Sequence, residues 1–367
     1  MKKKMIFGIL ILAAIVIAGV IIYAAKLGKE VEIKTDKRLS GVDEEIQEVL
    51  YYASLAPNSH NAQMWKLQLH PSINELYIGL DNKRLLKVVD EENREAYLSI
   101  GCYIANLQAA FNAYGFEMEL SIFEKPDTNG NIAKVVYKKT NNTVDKKVLN
   151  TLEKRHTDKT AYQDKILSQS TVERLEGEDT VCFPKETEGF AYLQKETLEA
   201  VTKQSAEERF RDELAEWMRF SDKEVIEKQD GISAEQMGLK GIVKTLYYWT
   251  ADRQSAKGDK FAQQGIDTAK KQVENCAAFL VVTGEDNMIG WINAGIHTER
   301  LWIKCVELGI SVHPMSAVLE TSPFAEALQK DLNLKKTAQM ILRVGYVNDY
   351  GKNTGNRRDL NTYITTK

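Results

Sequence analysis

Little in this chain supports metal or thiol chemistry. Its 367 residues include only four cysteines and five histidines. Cys102, Cys182, Cys276 and Cys305 stand far apart among apolar neighbours, with no CxxC pair. That spacing excludes a zinc-ribbon ligand set and favours buried free thiols. No Gly-x-Gly-x-x-Gly occurs, so the fingerprint of a tightly held dinucleotide is missing. A nucleophile–base–orienter set is not apparent either. The net charge is -3, with both signs mixed along the chain. Phosphate-backbone binding needs a concentrated basic face, so a nucleic-acid partner is disfavoured. The length allows one large or two ordinary domains with ample core.

One long apolar run is present. Met5–Ala25 is uncharged and follows Lys2, Lys3 and Lys4. At ~1.5 Å per residue such a helix crosses a hydrocarbon core of ~30 Å. Tyr23-Ala24-Ala25 is a poor small-x-small cleavage site, and no lipobox cysteine follows. The expectation is an uncleaved single-pass transmembrane anchor over 5–25, then a charged linker over 26–41. The leading lysines favour a cytoplasmic N-terminus and an extracytoplasmic globular part, although Lys26, Lys29, Lys34, Lys37 and Arg38 flank the other side.

Behind the linker, Ser40 and Asp43 read as a helix start, and Ile46, Val49, Leu50 and Ala53 form one apolar stripe until Pro57. A polar loop follows, carrying Asn58, Ser59, His60, Asn61 and Gln63 ahead of Trp65. Donors and acceptors fixed between two regular elements suit a planar ligand with polar edges, or simply an Asn/Ser-rich turn over a core tryptophan. Strands are expected at 65–70, 74–80, 117–123, 132–137, 277–282 and 337–344, and strong helices at 95–114 and 291–308. Ser170 and Glu173 suggest a capping box, and helical pattern runs from about Thr187 to Phe220. Residues 221–268 are charged and glycine-punctuated but contain Leu246-Tyr247-Tyr248-Trp249. That cluster suits a lid, or equally a pin holding an insertion to the core.

The two strong helices echo each other. Gly101, Leu107 and Gly115 are matched, at one constant offset, by Gly295, Leu301 and Gly309. The inner glycines permit close backbone approach, and the outer ones suit helix ends.

Ala56-Pro57-Asn58-Ser59-His60-Asn61-Ala62-Gln63-Met64-Trp65 resembles the Ala-Pro-Ser-Ser-x-Asn-x-Gln-Pro-Trp segment of the FMN-binding nitroreductase superfamily, with Met64 where proline is usual. The closer resemblance is to the fused, two-lobed Acg-like branch. It implies an α+β nitroreductase-like fold with two fused lobes, mixed and mainly antiparallel sheets, and central packed helices. The lobes would be 42–150 and 151–367, with 221–268 as a lid. Fusion allows a monomer to build a site that is dimeric elsewhere in the superfamily.

The same resemblance implies one FMN per chain. Ser59, Asn61 and Gln63 would serve its ring and ribityl side. Arg155-His156-Thr157-Asp158-Lys159 is similar to the family's Arg-x-Ser-x-Arg phosphate pattern, assigning Arg155, Thr157 and Lys159 to the phosphate while Asp158 points away. Lys34-Thr35-Asp36-Lys37-Arg38 is a weaker copy. Pro314, Met315 and Ser316 would pass beside the ring and offer backbone amides to its edge. Arg357 and Arg358 would approach the phosphate after Arg343-Val344-Gly345-Tyr346. His313 is not expected to act as an acid. The implied activity is hydride transfer from NAD(P)H to flavin N5, then reduction of a nitroaromatic, quinone or similar acceptor. Two alternatives stand beside it: a flavin-binding or storage protein with a covered cleft, and a membrane-tethered scaffold with a degenerate site.

Overall fold

Leu67, Leu69, Leu76 and Ile78 alternate with polar or half-exposed residues, and all four are fully buried in paired strands. The computed structural model describes residues 2–367, with side chains from Ile15 onward. In chain order the first half comprises α1 (Lys2–Leu27), α2 (Glu44–Ser54), β1 (Trp65–His70), β2 (Glu75–Leu80), α3 (Arg94–Ala113), β3 (Phe116–Ile122), β4 (Asn131–Lys139) and α4 (Lys146–Lys154). Next come α5 (Gln169–Leu175), β5 (Thr180–Pro184), α6 (Glu188–Ala206), α7 (Glu208–Trp217), α8 (Asp222–Lys228), α9 (Gly241–Thr250), α10 (Arg253–Ala256) and α11 (Asp259–Glu274). The last part holds β6 (Ala278–Gly284), α12 (Met288–Glu307), β7 (Ser311–Pro314), α13 (Phe324–Asp331), β8 (Thr337–Gly345) and β9 (Ile364–Thr366).

The strands form two sheets, ordered β3-β4-β2-β1-β9 and β5-β6-β8-β7. All pairings are antiparallel except β1 with β9. The class is therefore α+β with one mixed sheet. The boundary at residue 150 separates the sheets, but not the polypeptide's loyalties. The C-terminal tail crosses back and adds β9 to the first sheet, with Leu67 opposite Ile364. One continuous hydrophobic core contains Leu67 and Ile78 from the first sheet with Leu280 and Leu342 from the second.

Between the sheets, α3 and α12 pack together at their glycines. A Cβ on Gly101 would lie 2.0 Å from the Ile292 carbonyl oxygen, and one on Gly295 would lie 2.0 Å from that of Leu98. Only a residue without a side chain lets the backbones approach this closely. Gly115 and Gly309 follow the two helices at positive φ, 73° and 68°, the left-handed geometry that ends helices.

Three local expectations change. α2 starts after Asp43 rather than Ser40. The cap of α5 is Ser168, whose hydroxyl accepts from Thr171 N at 3.2 Å, so Ser170 lies inside the helix. Within the 246–249 cluster Tyr247 pins the segment to the body of the protein, while Leu246 and Trp249 are exposed. Tyr247 stacks on Phe220 with ring centres 5.9 Å apart, beside buried Ala215, Met218 and Ala256.

The transmembrane anchor is also corrected. Among the described residues no helix is long and apolar enough to cross a membrane. Of the expected span, the side chains of 5–14 lie outside the description, and Ile15–Ala25 covers only ~16 Å at helical rise. The end of α1 is engaged by protein. Thr245 Oγ1 donates to the Ala24 carbonyl at 2.7 Å, and Gly241 N donates to Gly28 O at 3.1 Å. Membrane partnership and the extracytoplasmic placement that rested on this anchor therefore lose their basis.

The glycine crossing generates a paired prediction. Gly295→Ala should destabilise the protein by about 3 kcal/mol or more, because overpacking here meets backbone that cannot rotate away. Gly265→Ala, in exposed α11 with open space around its Cβ position, should stabilise by roughly 0.5–1 kcal/mol through helix propensity. Urea unfolding of both variants measures the contrast, and similar effects would refute the packing argument.

Candidate functional site

The 55–65 loop is an unusual piece of backbone. His60, Asn61 and Gln63 all take positive φ, at 51°, 51° and 52°. Left-handed conformation strains residues with a Cβ and persists where surrounding contacts over-determine it. Here those contacts come from three directions. Inside the loop, Gln63 N donates to Asn58 Oδ1 at 2.8 Å. From the segment after α8, the Gln229 carbonyl accepts from Gln63 Nε2 at 2.8 Å, and the Gly231 carbonyl from Asn61 Nδ2 at 3.2 Å.

The third set comes from the tail, and it changes the roles expected for Arg357 and Arg358. Arg357 donates to the carbonyls of Ser54, Leu55 and Ala56, to its neighbour Asn356, and to Asn61 Oδ1. Arg358 donates from its backbone to Gln63 Oε1 at 2.9 Å and from Nη2 to Gln63 O at 2.8 Å. Both guanidiniums are buried and hold the loop's shape, and Arg357, unlike Arg358, also lines the cavity described next. Gln63 is likewise a buried strut and does not line the cavity described next.

In front of the loop is a cavity of about 440 Å³, within the usual size range of small-molecule sites. Ser59 and Asn61 line it, together with Arg155, Thr157, Lys159, Pro314, Met315 and Ser316. The tertiary reason for this meeting is a short parallel bridge between Thr157 and Val312, with Asp158 N donating to Val312 O at 3.0 Å. That bridge lays 155–159 alongside the start of 313–316. Asp158 turns away, accepting from Thr160 and from Ser311 Oγ at 2.9 Å. The Met315 amide is already bonded to the Ile341 carbonyl at 2.8 Å, so it cannot serve the ring edge assigned to it. Lys34 is exposed and away from the cavity, while Thr35 and Asp36 bind the tail through Arg357 O and Asp359.

The cations of the cavity differ sharply. Arg155 is almost wholly buried and paired with Glu299 of α12 at 3.0 Å, both side chains at most 3% exposed. Its Nη2 donates to Leu55 O at 2.6 Å, its guanidinium lies 4.8 Å from the Trp302 ring centre, and Nη1 has no partner. Burial pushes the Glu299 carboxyl up to about 8, opposed by Arg155, Arg357 and an Asn106 hydrogen bond. Lys159 is different. Burial alone lowers its pKa, and no carboxylate acts on it. It is a cation facing the cavity without a counter-ion.

His313 stands beside it. Arg343 Nε donates to His313 Nδ1 at 3.0 Å, which assigns the neutral ring's proton to Nε2. Burial, then the Arg343 and Lys159 charges, hold its pKa well below the ordinary histidine range. It can donate a hydrogen bond but resists becoming a cation.

Sequence reasoning missed the cavity's acidic side. Glu95 opens α3 and Glu320 follows the 316–318 turn, and both line the cavity. Ser59 Oγ donates to Glu95 Oε2, and Gln204 Nε2 donates to Glu320 Oε2 at 2.9 Å. Nothing local distinguishes these glutamates from ordinary helix-end carboxylates. Among the described residues no His/Cys/Asp/Glu group could hold a metal ion, and all four cysteines are buried and free.

Glu299 yields a pH prediction. Its folded pKa lies above the ordinary 4.5, so the stabilisation it confers is full below the unfolded value and is lost as pH rises through about 8. Glu299→Gln should flatten the fall in stability between these limits, measured by urea unfolding across a pH series. An unchanged slope would show a carboxylate ionised throughout.

No protein-family model and no curated protein matches the chain.

Proposed function

We propose that the protein is an FMN-dependent oxidoreductase of the nitroreductase type. The observation that carries this reading is the uncompensated Lys159 ammonium in a cavity shared by the Asn/Ser loop and the 155–159 segment. An unpaired cation in a partly enclosed space favours an anionic ligand, because the ligand replaces lost hydration. The orphaned Arg155 Nη1 fits the same charge. In this reading Lys159, Thr157 and Arg155 hold the phosphate, while Ser59 and Asn61 face the ribityl and ring portion. His313 adds a neutral donor, and Arg357 and Arg358 act indirectly by fixing the loop. FMN, when bound, supplies hydride and electron transfer between a reduced nicotinamide and a quinone or nitroaromatic acceptor. The chain's residues bind, orient and exclude water.

A second reading is a flavin-storage protein. Ile232 and Gln236, from the segment joining α8 to α9, line the cavity with Gln204 of α6 and Gln272 of α11. A cavity roofed by these elements favours retention over nicotinamide entry. Stopped-flow mixing of FMN-loaded protein with NADH or NADPH separates the readings: rapid bleaching supports the enzyme, stable yellow colour the store.

FMN titration tests the shared premise. Lys159→Ala removes no internal bond and should weaken binding by about tenfold to a hundredfold, the loss of one charged hydrogen bond of roughly 1.5–3 kcal/mol. Lys34→Ala should leave affinity unchanged. Equal losses, or no FMN binding by the wild type, would refute the assignment.

A further inference from the structure

Glu95 and Glu320 both line the cavity, near enough that each carboxyl bears on the other's ionisation. Two carboxylates in such contact cannot both ionise cheaply, so one proton between them is the stable arrangement. The surroundings decide its place. Glu95 is only 4% exposed, accepts from Ser59 Oγ, and has Arg94 Nη2 at 3.2 Å. These contacts favour its charged form. Glu320 has no cation, receives one neutral amide from Gln204, and retains exposure to the cavity. Burial and the Glu95 charge push its pKa well above the carboxylate range, while Ser316 and Gln204 pull weakly the other way. The remaining titratable neighbours of Glu95 are Asp90, pushed up to about 6 by burial and by Glu95 itself, and His60, held low by burial.

We propose that Glu320 and Glu95 share one proton at the cavity wall and that Glu320 donates it to an acceptor undergoing two-electron reduction, such as a quinone. This rests on the oxidoreductase reading and adds its proton donor. A second observation points to a ligand in the same space: Arg155 is 2% exposed, lines the cavity, and leaves Nη1 unpartnered. FMN, if bound in this cavity, would supply the quinone with two electrons and one proton as hydride. The quinone's second proton comes from Glu320 as the O–H bond breaks and the electron pair stays on the carboxylate. The quinone would leave as hydroquinone, its two electrons drawn from the cofactor, and Glu320 would regain a proton from solvent.

The test uses the full FMN-loaded chain, Glu320→Gln and Glu95→Gln, with two acceptors. p-Benzoquinone takes up protons on reduction, whereas ferricyanide takes an electron and no proton. Glu320→Gln should slow benzoquinone reduction by about a hundredfold, in the range of general-acid catalysis, and remove the limb of its pH profile, while ferricyanide reduction persists. Equal slowing of both acceptors would assign Glu320 a structural role and overturn the proposal, as would no slowing of either. Infrared difference spectra give a readout independent of turnover. Glu299 also holds a neutral carboxyl at pH 7, so the readout is the wild type minus Glu320→Gln difference: a neutral-carboxyl band in it is expected, and its absence overturns the shared proton. Glu95→Gln, by removing the charge that retains the proton, should shift that band's titration to lower pH; an unmoved titration overturns the pairing. Wild type that binds FMN yet reduces neither acceptor refutes the oxidoreductase reading and proton donation with it, while the infrared result still decides the shared proton.

Discussion

The crossing of α3 and α12 at Gly101 and Gly295 is the constraint on which the remaining architecture depends. Backbone meets backbone there, so neither helix can slide or rotate without a clash. Everything important to the cavity is placed relative to that contact. Glu95, Leu98, Ser99 and Cys102 come from α3, and Thr298 and Trp302 from α12, all lining one wall. Glu299, on the same turn as Thr298, reaches Arg155 and so fixes the segment that carries Lys159. A bulkier crossing would move the acidic and basic sides of the cavity apart together.

A second theme is the use of buried arginines as internal fasteners. Arg343 donates to His313 Nδ1 and to the carbonyls of Asp158, Thr160 and Gln272. Arg357 gathers the end of α2 and the strained loop. A rigid fork with several donors satisfies many carbonyls from one point, which suits places where no regular ladder can form. The burden is desolvation, visible as the Arg357 and Arg358 pKa values pulled down to about 10. Many carbonyl acceptors offset part of it. Lys159 has no such partners, and this difference separates it from the arginines.

Regular structure was readable because its signal is local. The helices of 95–114 and 291–308 and the strands at 65–70 and 337–344 match the observed α3, α12, β1 and β8 to within a few residues. Apolar period and terminal glycines are written in adjacent positions. The three-residue β9 carries too little pattern to read, and β7 is nearly as short. The apolar N-terminal run gave a strong hydropathy signal, yet among the described residues no helix is long and apolar enough to cross a membrane, and the end of α1 meets α9.

The sequence by itself determined the secondary elements, the buried thiols, the glycines of the helix crossing, and a loop rich in amides and hydroxyls. It also supplied the segments 58–61, 155–159 and 314–316 that meet at the cavity. Only the tertiary structure decided which members of those segments face inward. Gln63 and Arg358 turned into the loop, and Glu95 and Glu320 came together from positions more than two hundred residues apart in the chain. The reason is physical. A polar side chain's role follows from its partners and its water, and both are fixed by neighbours that arrive from elsewhere in the fold.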